Sequence, residues 1–454
     1  MGIKHVVIVG GGFAGVGCAQ QLARSHEVHV TLVDQHNYHQ FQPLFYQVAT
    51  AQLAVEDVGF PLGRIFRKCP NVDIKVAQVN AVDPKARSVS TKEGQVYQGD
   101  FLVLAAGAQA NFLGIPGAET NSFPLYSLID AERLRSRLLT LFEDSDREPE
   151  LIEQGALNVV IVGGGATGTE VAGALADVIH YFASGKFEHL VNATHIYLVE
   201  HGPTLLAPFS PKAHDYASEV LQRGGVILKL NTDVKEVHPG HVVLSDGSTI
   251  KSRCVIWGAG LKASTVASDM GLPQARGGRV EVQPDLSVKG FPGVYAVGDF
   301  ANIAGKDGNA LPQLGSVAQQ SGKWAAKNIL ADIAGTPRTP FHYHDKGIMA
   351  MIGRNAAIAE VGEHRHELEG VAAYSMWLGV HIALLSGLRV KVHAFVDWVW
   401  NYFSQGGGPM LRDRSDATRI NWHDDAGDTQ GLDEKPMPPK NLVATDSRTA
   451  YKEG

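Results

Sequence analysis

Two glycine-rich segments about 150 residues apart have the same pattern of residue types. Each follows a run of Val and Ile and precedes small residues, which predicts a strand, a tight turn and the start of a helix. The first glycine permits the turn, the second lets the backbone approach a pyrophosphate, and the third lets the helix pack on the strand. The glycines are Gly10, Gly12 and Gly15 in the first segment and Gly163, Gly165 and Gly168 in the second.

The helix predicted after each turn points its positive end at the ligand. Phe13 and Ala14 lie in the first turn of one helix, and Ala166 and Thr167 in the first turn of the other. A single segment of this kind is weak evidence, because glycine-rich turns also occur on buried strands without any nucleotide. Two copies, each followed by an acidic residue, favour two dinucleotide sites.

The acidic residues indicate the class of ligand. Asp34 ends an apolar run 19 positions after Gly15, close to the spacing of about 20 at which a carboxylate binds a ribose diol. Glu200 ends a similar run 32 positions after Gly168, which requires a longer crossover in the second unit. Neither acid is followed by Arg or Lys, so NADH is favoured over NADPH. The alternative, that both are ordinary polar residues at strand ends, stays open.

The elements that position these residues repeat along the chain. In the first unit, strands are predicted over 73–79 and 101–108, and the second of these ends in small residues that let a nucleotide approach. In the second unit, a predicted helix over 130–142 precedes the glycine segment, and a strand from Cys254 ends in Gly258, Ala259 and Gly260. A further strand over 293–300 ends in a Gly-Asp pair. The two halves form an internal repeat.

Composition is that of a globular enzyme with two or three domains. The chain has 454 residues, of which 44% are hydrophobic and 19% charged, and its net charge of -7 argues against a nucleic-acid partner. Cys18, Cys69 and Cys254 form no CxxC motif, which argues against a disulfide scaffold, a zinc site or a dithiol relay. A core strand is predicted within a few residues of the N-terminus, so no signal peptide is expected. No metal site is expected either: His342 and His344, which flank Tyr343 on a predicted strand, are interpreted as surface residues.

The order of these motifs resembles the two-dinucleotide-domain flavoproteins and, within them, the type II NADH dehydrogenases, which are single-subunit NADH:quinone oxidoreductases. The Gly298-Asp299 pair carries the wider resemblance, and three segments carry the narrower one: 37–49 (NYHQFQPLFYQVA), 168–173 (GTEVAG) and 345–354 (DKGIMAMIGR). The resemblance covers residues 1 to about 412.

The resemblance implies an α/β fold with two Rossmann-like domains, for FAD and NADH, and a C-terminal α/β region with amphipathic membrane-associating helices. It assigns FAD to 1–115 and 261–337, NADH to 116–260, and membrane association to 338–412. Hydride would pass from NADH to the flavin, and two electrons from the flavin to a membrane quinone, without proton pumping. Beyond the two glycine segments, it implies cofactor contacts by these residues: Asp34, Gln42, Val79, Ala106, Gly107, Gly298, Asp299, Ser316 and Val317 for FAD, and Glu200, Gly258, Ala259 and Gly260 for NADH.

Glu170 is the residue that the resemblance places near the flavin and the nicotinamide, where it would shape hydride transfer or relay protons to the quinone. The alternative is a carboxylate that only complements its helix dipole. The quinone-site candidates are Pro43, Tyr46, Ser316, Gln319 and Gln320. The chain departs from the family here, because Gly315-Ser316 and Gln320-Ser321 stand where an Ala-Gln and a Gln-Gln pair are usual. Alternative functions are therefore a reductase of a soluble carrier, a sulfide:quinone oxidoreductase-like enzyme, or a slow-turnover flavoprotein sensor.

Two predicted C-terminal helices concern the partner surface. On the first, over 371–388, Trp377, His381, Leu384 and Leu388 are predicted to share one face. The second, over 390–403, carries the apolar stripe Val392, Phe395, Val396, Val399 and Phe403 opposite Lys391, Asp397 and Asn401. Trp377, Trp398 and Trp400 favour a membrane interface, so the segment is interpreted as an in-plane anchor on the cytoplasmic side of the cell membrane. The alternative is a contact with the enzyme's own sheet or with a second copy, and a homodimer is expected. Residues 413–454 are predicted to be a disordered tail.

Overall fold

The computed structural model describes residues 2–182, 188–267, 270–362 and 364–404. The predicted tail at 413–454 lies outside the described residues. The strands are β1 (Lys4–Val9), β2 (Val28–Asp34), β3 (Tyr38–Gln40), β4 (Gly59–Pro61), β5 (Val72–Val76), β6 (Val79–Asp83), β7 (Ser88–Thr91), β8 (Val96–Gln98), β9 (Phe101–Leu104), β10 (Ala108–Ala110), β11 (Phe123–Pro124), β12 (Asn158–Val162), β13 (His195–Val199), β14 (Val226–Lys229), β15 (Val234–Val237), β16 (His241–Leu244), β17 (Thr249–Lys251), β18 (Cys254–Trp257), β19 (Leu261–Ala263), β20 (Val280–Glu281), β21 (Val294–Ala296), β22 (Ala301–Asn302), β23 (Gly347–Gly353), β24 (Ala356–Val361) and β25 (His366–Glu369).

The α-helices are α1 (Phe13–Leu22), α2 (Phe45–Ala49), α3 (Leu62–Ile65), α4 (Ala118–Asn121), α5 (Leu128–Arg147), α6 (Glu150–Glu153), α7 (Ala166–Phe182), α8 (Glu188–Val191), α9 (Pro211–Arg223), α10 (Gly315–Ile333), α11 (Gly370–Leu384) and α12 (Leu388–Ser404). Short 3-10 helices cover Gln42–Leu44, Val55–Asp57, Thr265–Ala267, Arg276–Gly278 and Gly298–Phe300.

Two five-stranded parallel sheets form the frame, and they repeat the same topology. The first has the order β21-β9-β1-β2-β5 and the second the order β11-β18-β12-β13-β14. Each central strand, β1 and β12, leads into a glycine turn and a helix. In each unit a three-stranded antiparallel sheet is inserted in the chain, β6-β7-β8 before β9 and β15-β16-β17 before β18. The predicted α/β fold with an internal repeat is confirmed. Because β21 comes after the second sheet in the chain, the first sheet is built from two separate stretches of sequence.

The apolar runs of the sequence form these central strands because parallel strands covered on both faces bury every side chain. Val6, Val7 and Ile8 of β1 are fully buried, as are Val160 and Ile161 of β12. Two predicted strands differ from the expectation. The strand predicted over 101–108 ends at Leu104, and Gly107, with a φ of 68°, turns the chain before β10 begins at Ala108. The strand predicted around Tyr343 is absent, and 341–346 form an irregular segment along α10.

The C-terminal region is a three-stranded antiparallel sheet, β23-β24-β25, followed by α11 and α12. It packs on α7, the helix that follows β12 of the second sheet. There α7 and β23 approach so closely that a Cβ on Gly173 would overlap the carbonyl oxygen of Ile352. None of the helices in the described ranges has the length and apolar character needed to cross a bilayer.

The predicted shared face of the first C-terminal helix is wrong. Trp377 and His381 are 0% and 7% exposed, whereas Leu384 and Leu388 are 51% and 78% exposed. The reason is that α11 ends at Leu384 and Leu388 begins α12, so one helical frame does not run through all four. Trp377 fills space beside α2, where its ring lies 6.3 Å from that of Tyr46.

The second C-terminal helix has the predicted apolar stripe on its solvent side. Four residues of the stripe are exposed, namely Val392, Phe395, Val396 and Val399; the side chain of Phe403 lies outside the described set. The three tryptophans do not share this surface. Trp400 is exposed, but Trp398 is half-buried and its Nε1 donates to Oε1 of Gln47 at 2.8 Å. The expectation that Trp377 and Trp398 face the interface is therefore wrong.

Two carboxyl groups meet where α12 packs on the 3-10 helix Val55–Asp57. Asp57 is buried and accepts a hydrogen bond from the backbone N–H of Ala54, and Asp397 of α12 approaches it. Burial, together with Asp397, raises the pKa of Asp57 to about 7. When folding raises the pKa of an acid, the folded state loses stability as pH rises from the unfolded pKa to the folded pKa. For Asp57 this range runs from about 4 to about 7.

We expect Asp397→Asn to raise the thermal midpoint more at pH 8 than at pH 5. The carboxamide removes one charge and can donate to Asp57, so the gain above pH 7 should be about 1 kcal/mol after allowance for solvent screening. Thermal unfolding of both proteins at the two pH values measures it. Asp215→Asn, at an exposed acid of α9, is the matched control. An equal change at both pH values would contradict the pairing.

Candidate functional site

The first glycine turn is built for close backbone contact. Gly10 has a φ of 105°, and a Cβ there would overlap the carbonyl oxygen of Ala105 at the end of β9. A Cβ on Gly15 would overlap the carbonyl oxygen of Gly10, so α1 can begin directly above the turn. By contrast, a Cβ on Gly12 would meet nothing within 4 Å. The second glycine of the motif therefore faces open space, as the approach of a pyrophosphate requires.

The second glycine turn has the same geometry. Gly163 has a φ of 102°, and its Cβ would lie 2.8 Å from backbone atoms of Gly258 and Ala259. A Cβ on Gly168 would overlap the carbonyl oxygen of Gly163, and Gly165 faces open space. Ala166 and Thr167 begin α7 in the same way that Phe13 and Ala14 begin α1. The candidate residues at the end of β18, Gly258 to Gly260, thus form one wall of the second turn.

Each strand-end acid binds the glycine turn of its own unit. Asp34 accepts from the N–H of Gly11 at 2.5 Å and from that of His36 at 2.7 Å. Burial raises the pKa of Asp34, and these two N–H groups partly offset the effect.

Glu200 repeats this pattern in the second unit. It accepts from the N–H of Gly164 at 2.5 Å and from that of Gly202 at 2.7 Å. Each carboxylate is thereby held beside its turn, with lone pairs left for a ribose diol. The backbone partners were not predicted from the sequence, although both are the middle glycine of a Gly-Gly-Gly run.

The Gly298-Asp299 pair lies against the start of α1. Gly298 has a φ of 67°, and a Cβ there would lie 2.9 Å from the Cβ of Ala14. The hydroxyl of Ser321 is fully buried and accepts from the N–H of Gly298 at 3.0 Å. Ser321, a position where the chain departs from the pattern of the family that it resembles, therefore supports this turn. Burial raises the pKa of Asp299, opposed by a hydrogen bond from Tyr126 and the charge of Arg279.

The remaining FAD candidates surround the same turns. Val79 is buried, Val317 is buried in the first turn of α10, and Ala106 and Gly107 follow β9. The Oε1 atom of Gln42 is buried without a hydrogen-bond partner among the described residues. The orphaned acceptor of Gln42, together with the open Gly12 and the carboxylates of Asp34 and Asp299, fits a large polar cofactor such as FAD.

Glu170 lies on α7 and reaches across to the C-terminal sheet. Its Oε1 accepts from the N–H of Met351 in β23 at 3.2 Å, and the indole of Trp377 also interacts with the carboxyl. Loss of hydration, only partly offset by these two partners, raises the pKa of Glu170 to about 8. The carboxyl therefore contacts β23 rather than the N-terminal N–H groups of its own helix. This contact disfavours the alternative in which Glu170 only complements the helix dipole.

An aromatic cluster surrounds Glu170 on the side of the C-terminal helices. The ring of Trp377 stacks on His381 with a centroid distance of 3.8 Å, and Nδ1 of His381 bonds to the carbonyl oxygen of Trp377 at 2.7 Å. Burial lowers the pKa of His381 to about 4, so the ring is neutral at pH 7. Nε2 of Gln47 donates to the hydroxyl of Tyr46 at 3.1 Å. The sequence analysis did not predict that Trp377 and His381 pack beside Glu170. Their spacing of four residues on one helix is the signal that could have indicated that the two rings stack.

The structure separates the five quinone-site candidates. Tyr46 is buried beside Glu170, and Pro43 precedes it in the 3-10 helix Gln42–Leu44. Ser316 bonds through its hydroxyl to that of Tyr343 at 2.9 Å. Both ends of the Gln320 carboxamide bind the backbone of His344 at 3.0 Å, so this side chain holds the segment that follows α10. Gln319, one position earlier, is half-buried.

Of the three cysteines, two are buried thiols and Cys69 is half-buried. Cys18 and Cys254 are buried, and burial raises the pKa of Cys254 to about 12. Thiols of this kind are poor nucleophiles. No group of three or more His, Cys, Asp and Glu residues in the part of the chain that the structure describes could hold a metal ion.

Comparisons with known proteins place the chain among flavoprotein reductases. Residues 4–322 match the pyridine nucleotide-disulphide oxidoreductase model, and residues 345–405 match the NDH2 C-terminal domain. The chain is 34% identical over 422 residues to a type II NADH:quinone oxidoreductase, Ndh, of Mycobacterium tuberculosis, covering 89% of each protein. It is 28% identical over 392 residues to the type II NADH:quinone oxidoreductase of Haemophilus influenzae, covering 79% of this chain and 87% of the relative.

Solved structures share the fold. NDH2 from Plasmodium falciparum in complex with NADH has a TM-score of 0.82 at 20% identity, covering 90% of this chain and 100% of that one. The sulfide:quinone oxidoreductase of Aquifex aeolicus has a TM-score of 0.70 at 19% identity, with the same coverage.

Replacing Glu200 by Ala should raise the KM for NADH and relax discrimination against NADPH. If Glu200 binds the ribose, the variant loses the acceptor for the ribose diol and the charge that would repel a 2'-phosphate. Hydrogen bonds to a charged group contribute about 1.5 to 3 kcal/mol, so selectivity should fall on the order of tenfold or more. Steady-state kinetics with both nucleotides measure this. Asp246→Ala, at an exposed acid between β16 and β17, is the control. Wild-type protein that uses both nucleotides equally would contradict the assignment.

Proposed function

The chain belongs to the type II NADH:quinone oxidoreductase family, and we propose that it oxidises NADH and reduces a membrane quinone without pumping protons. FAD, when bound, supplies the two-electron chemistry that connects the two substrates. The observation that carries the proposal is the pair of glycine turns, each with open space at the second glycine of its motif and with a carboxylate that accepts from the middle N–H of its Gly-Gly-Gly run.

We assign FAD to 1–115 with 261–337, and NADH to 116–260. Support comes from the composition of the sheets, since β21 of the later stretch pairs with β9 of the first. Asp34 and Asp299 would hold the ribose and sugar chain of FAD, and Glu200 would hold the ribose of NADH. Strand-end carboxylates perform this task in dinucleotide-binding folds.

Glu170 is proposed to hold the proton that quinone reduction requires. Reduction of a quinone by NADH consumes one proton beyond the hydrogen that NADH carries, so a group near the acceptor must be protonated at neutral pH. Because its pKa is raised to about 8, Glu170 holds a proton at pH 7 and can release it to a base of modest strength. Tyr46 and Trp377 exclude water around it, which preserves the raised pKa.

The quinone is proposed to come from a bilayer that contacts the exposed stripe of α12. Phe395, Val396 and Val399 are each at least 40% exposed, and Leu388 and Val392 extend the same surface. The neighbouring positive charges contribute less to membrane binding than the sequence indicated. The ammonium of Lys391 donates instead to the carbonyl oxygen of Ala383 at the end of α11. Arg389 is exposed and available to anionic lipid. Attachment to the cytoplasmic side and a homodimer complete the proposal, and both come from the family resemblance.

The alternative acceptors remain distinguishable. A sulfide:quinone oxidoreductase-like reaction needs reactive cysteines near the flavin. The burial of Cys18 and Cys254 disfavours it, because Cys69, which is half-buried, has no second cysteine in a CxxC motif. A flavoprotein sensor would turn over far below the ordinary enzyme range of about 1 to 1000 per second. Steady-state oxidation of NADH with a soluble quinone separates an enzyme from a sensor.

The double substitution Phe395→Glu with Val399→Glu should release the protein from membranes. Burial of an apolar side chain in the membrane contributes about 1.5 to 3 kcal/mol of binding free energy, which each Glu substitution removes. Both residues face away from the body of the protein. NADH oxidation with a water-soluble acceptor should persist, whereas activity with a long-chain quinone in liposomes should collapse. Sedimentation with liposomes and the two assays measure this.

The control makes the same change at Val76 and Val96, which are exposed on the first domain. If the α12 variant stays bound to liposomes and keeps its long-chain quinone activity, the proposed membrane surface is wrong. If both activities fall together with loss of folding, α12 covers protein and the membrane proposal must be dropped.

A further inference from the structure

A hydroxyl group of the second domain lies between two turns of the first. Tyr126 follows β11, a strand of the second sheet, and its hydroxyl lies below the turn after β9. The N–H of Ala108 bonds to this hydroxyl at 3.0 Å, and a Cβ on Gly107 would lie 3.3 Å from it. The same hydroxyl is 3.3 Å from Oδ2 of Asp299. Tyr126 thus bridges two segments that flank the first glycine turn.

The direction of these hydrogen bonds follows from their donors. A backbone N–H can only donate, so the phenol oxygen accepts from Ala108, and its single proton goes to the carboxylate of Asp299. One carboxylate oxygen is then engaged, and the other is left to accept from a ligand. Burial raises the pKa of Asp299, and this hydrogen bond and the charge of Arg279 both favour the ionised form. The guanidinium of Arg279 itself donates to the carbonyl oxygens of Ala301 and Leu311.

The backbone around Tyr126 is held independently of its hydroxyl. The side chains of Ser127 and Asp130 cap the start of α5 reciprocally, at 3.1 and 2.9 Å. The N–H of Leu128 donates to Oε1 of Gln40 at 2.9 Å, in the segment that follows Asp34. Removal of the hydroxyl should therefore leave this backbone in place.

We propose that Tyr126 is a positioning residue for FAD. Its hydroxyl holds the Asp299 carboxylate and the turn at Gly107 and Ala108 in the positions from which they contact the bound dinucleotide. The proposal rests on the assignment of FAD to the first glycine turn. It also means that a residue of the NADH-binding half completes the FAD site. The Tyr126 hydroxyl therefore links the binding of FAD to the packing of the two halves.

Tyr126→Phe in the holoenzyme tests the proposal. The ring and its packing are retained, while Ala108 loses an acceptor and Asp299 a donor. Release of FAD after dilution, followed by the rise of flavin fluorescence, should be on the order of tenfold faster than in the wild type. Tyr97→Phe is the matched control, because its hydroxyl donates to the side chain of Gln95, next to β8 and away from the glycine turns. Release that is unchanged by Tyr126→Phe overturns the proposal.

A double-mutant cycle separates positioning from general loosening. If Tyr126 acts through Asp299, adding Tyr126→Phe to Asp299→Asn should accelerate FAD release much less than Tyr126→Phe does alone. Equal acceleration in both backgrounds would overturn the role assigned to Asp299. The thermal midpoint with saturating FAD should match that of the Tyr97→Phe control.

The assignment of FAD fails separately. Purified wild-type protein that contains no flavin, and takes none up, would overturn the proposed function and this inference together. Wild-type protein that holds FAD, beside a Tyr126→Phe variant that holds it equally well, would overturn the inference alone.

Discussion

The whole arrangement depends on close backbone contact at two glycine turns. At Gly10 and Gly163 the turn presses against the end of the neighbouring strand so tightly that a Cβ has no room, and both residues need a positive φ. This contact brings the start of each helix to the edge of its sheet, with the second glycine exposed to ligand. The strand-end acids depend on the same geometry, because each accepts from an N–H inside the turn. Any side chain at these positions would displace both the helix and the carboxylate.

Both halves contain the same glycine turn, but they are not structurally independent. The first sheet is completed by β21, which the chain reaches only after building the second sheet. Glu170 of the second half contacts β23, and Trp398 of α12 contacts Gln47 in the first half. The helix that carries the exposed apolar stripe therefore touches the segment that also contains Tyr46. Its two faces have separate roles, and substitutions at Trp398 and at its neighbour Val399 should have different consequences.

The turns and their acids could be predicted because local spacing encodes them, and so could the repeat of strand, turn and helix. The contacts around Glu170, Asp299 and Gln47 could not, because their partners come from distant parts of the chain. Glu170 and Met351 are 181 residues apart, Tyr126 and Asp299 are 173 apart, and Gln47 and Trp398 are 351 apart. The shared face assumed for Trp377 and Leu388 failed for a local reason, because the helix ends at Leu384. Ser321 departs from its family, but it supports Gly298 and does not reach the acceptor region by hydrogen bonding.

Anaerobic rapid mixing of the holoenzyme, first with NADH and then with a quinone, shows whether the flavin carries electrons between the two substrates. We expect the visible absorbance of the flavin to bleach with a stoichiometric amount of NADH, no more slowly than steady-state turnover. The absorbance should return when the quinone is added. Oxidation of NADH without bleaching, or a bleached flavin that quinone does not restore, would contradict this role of the flavin.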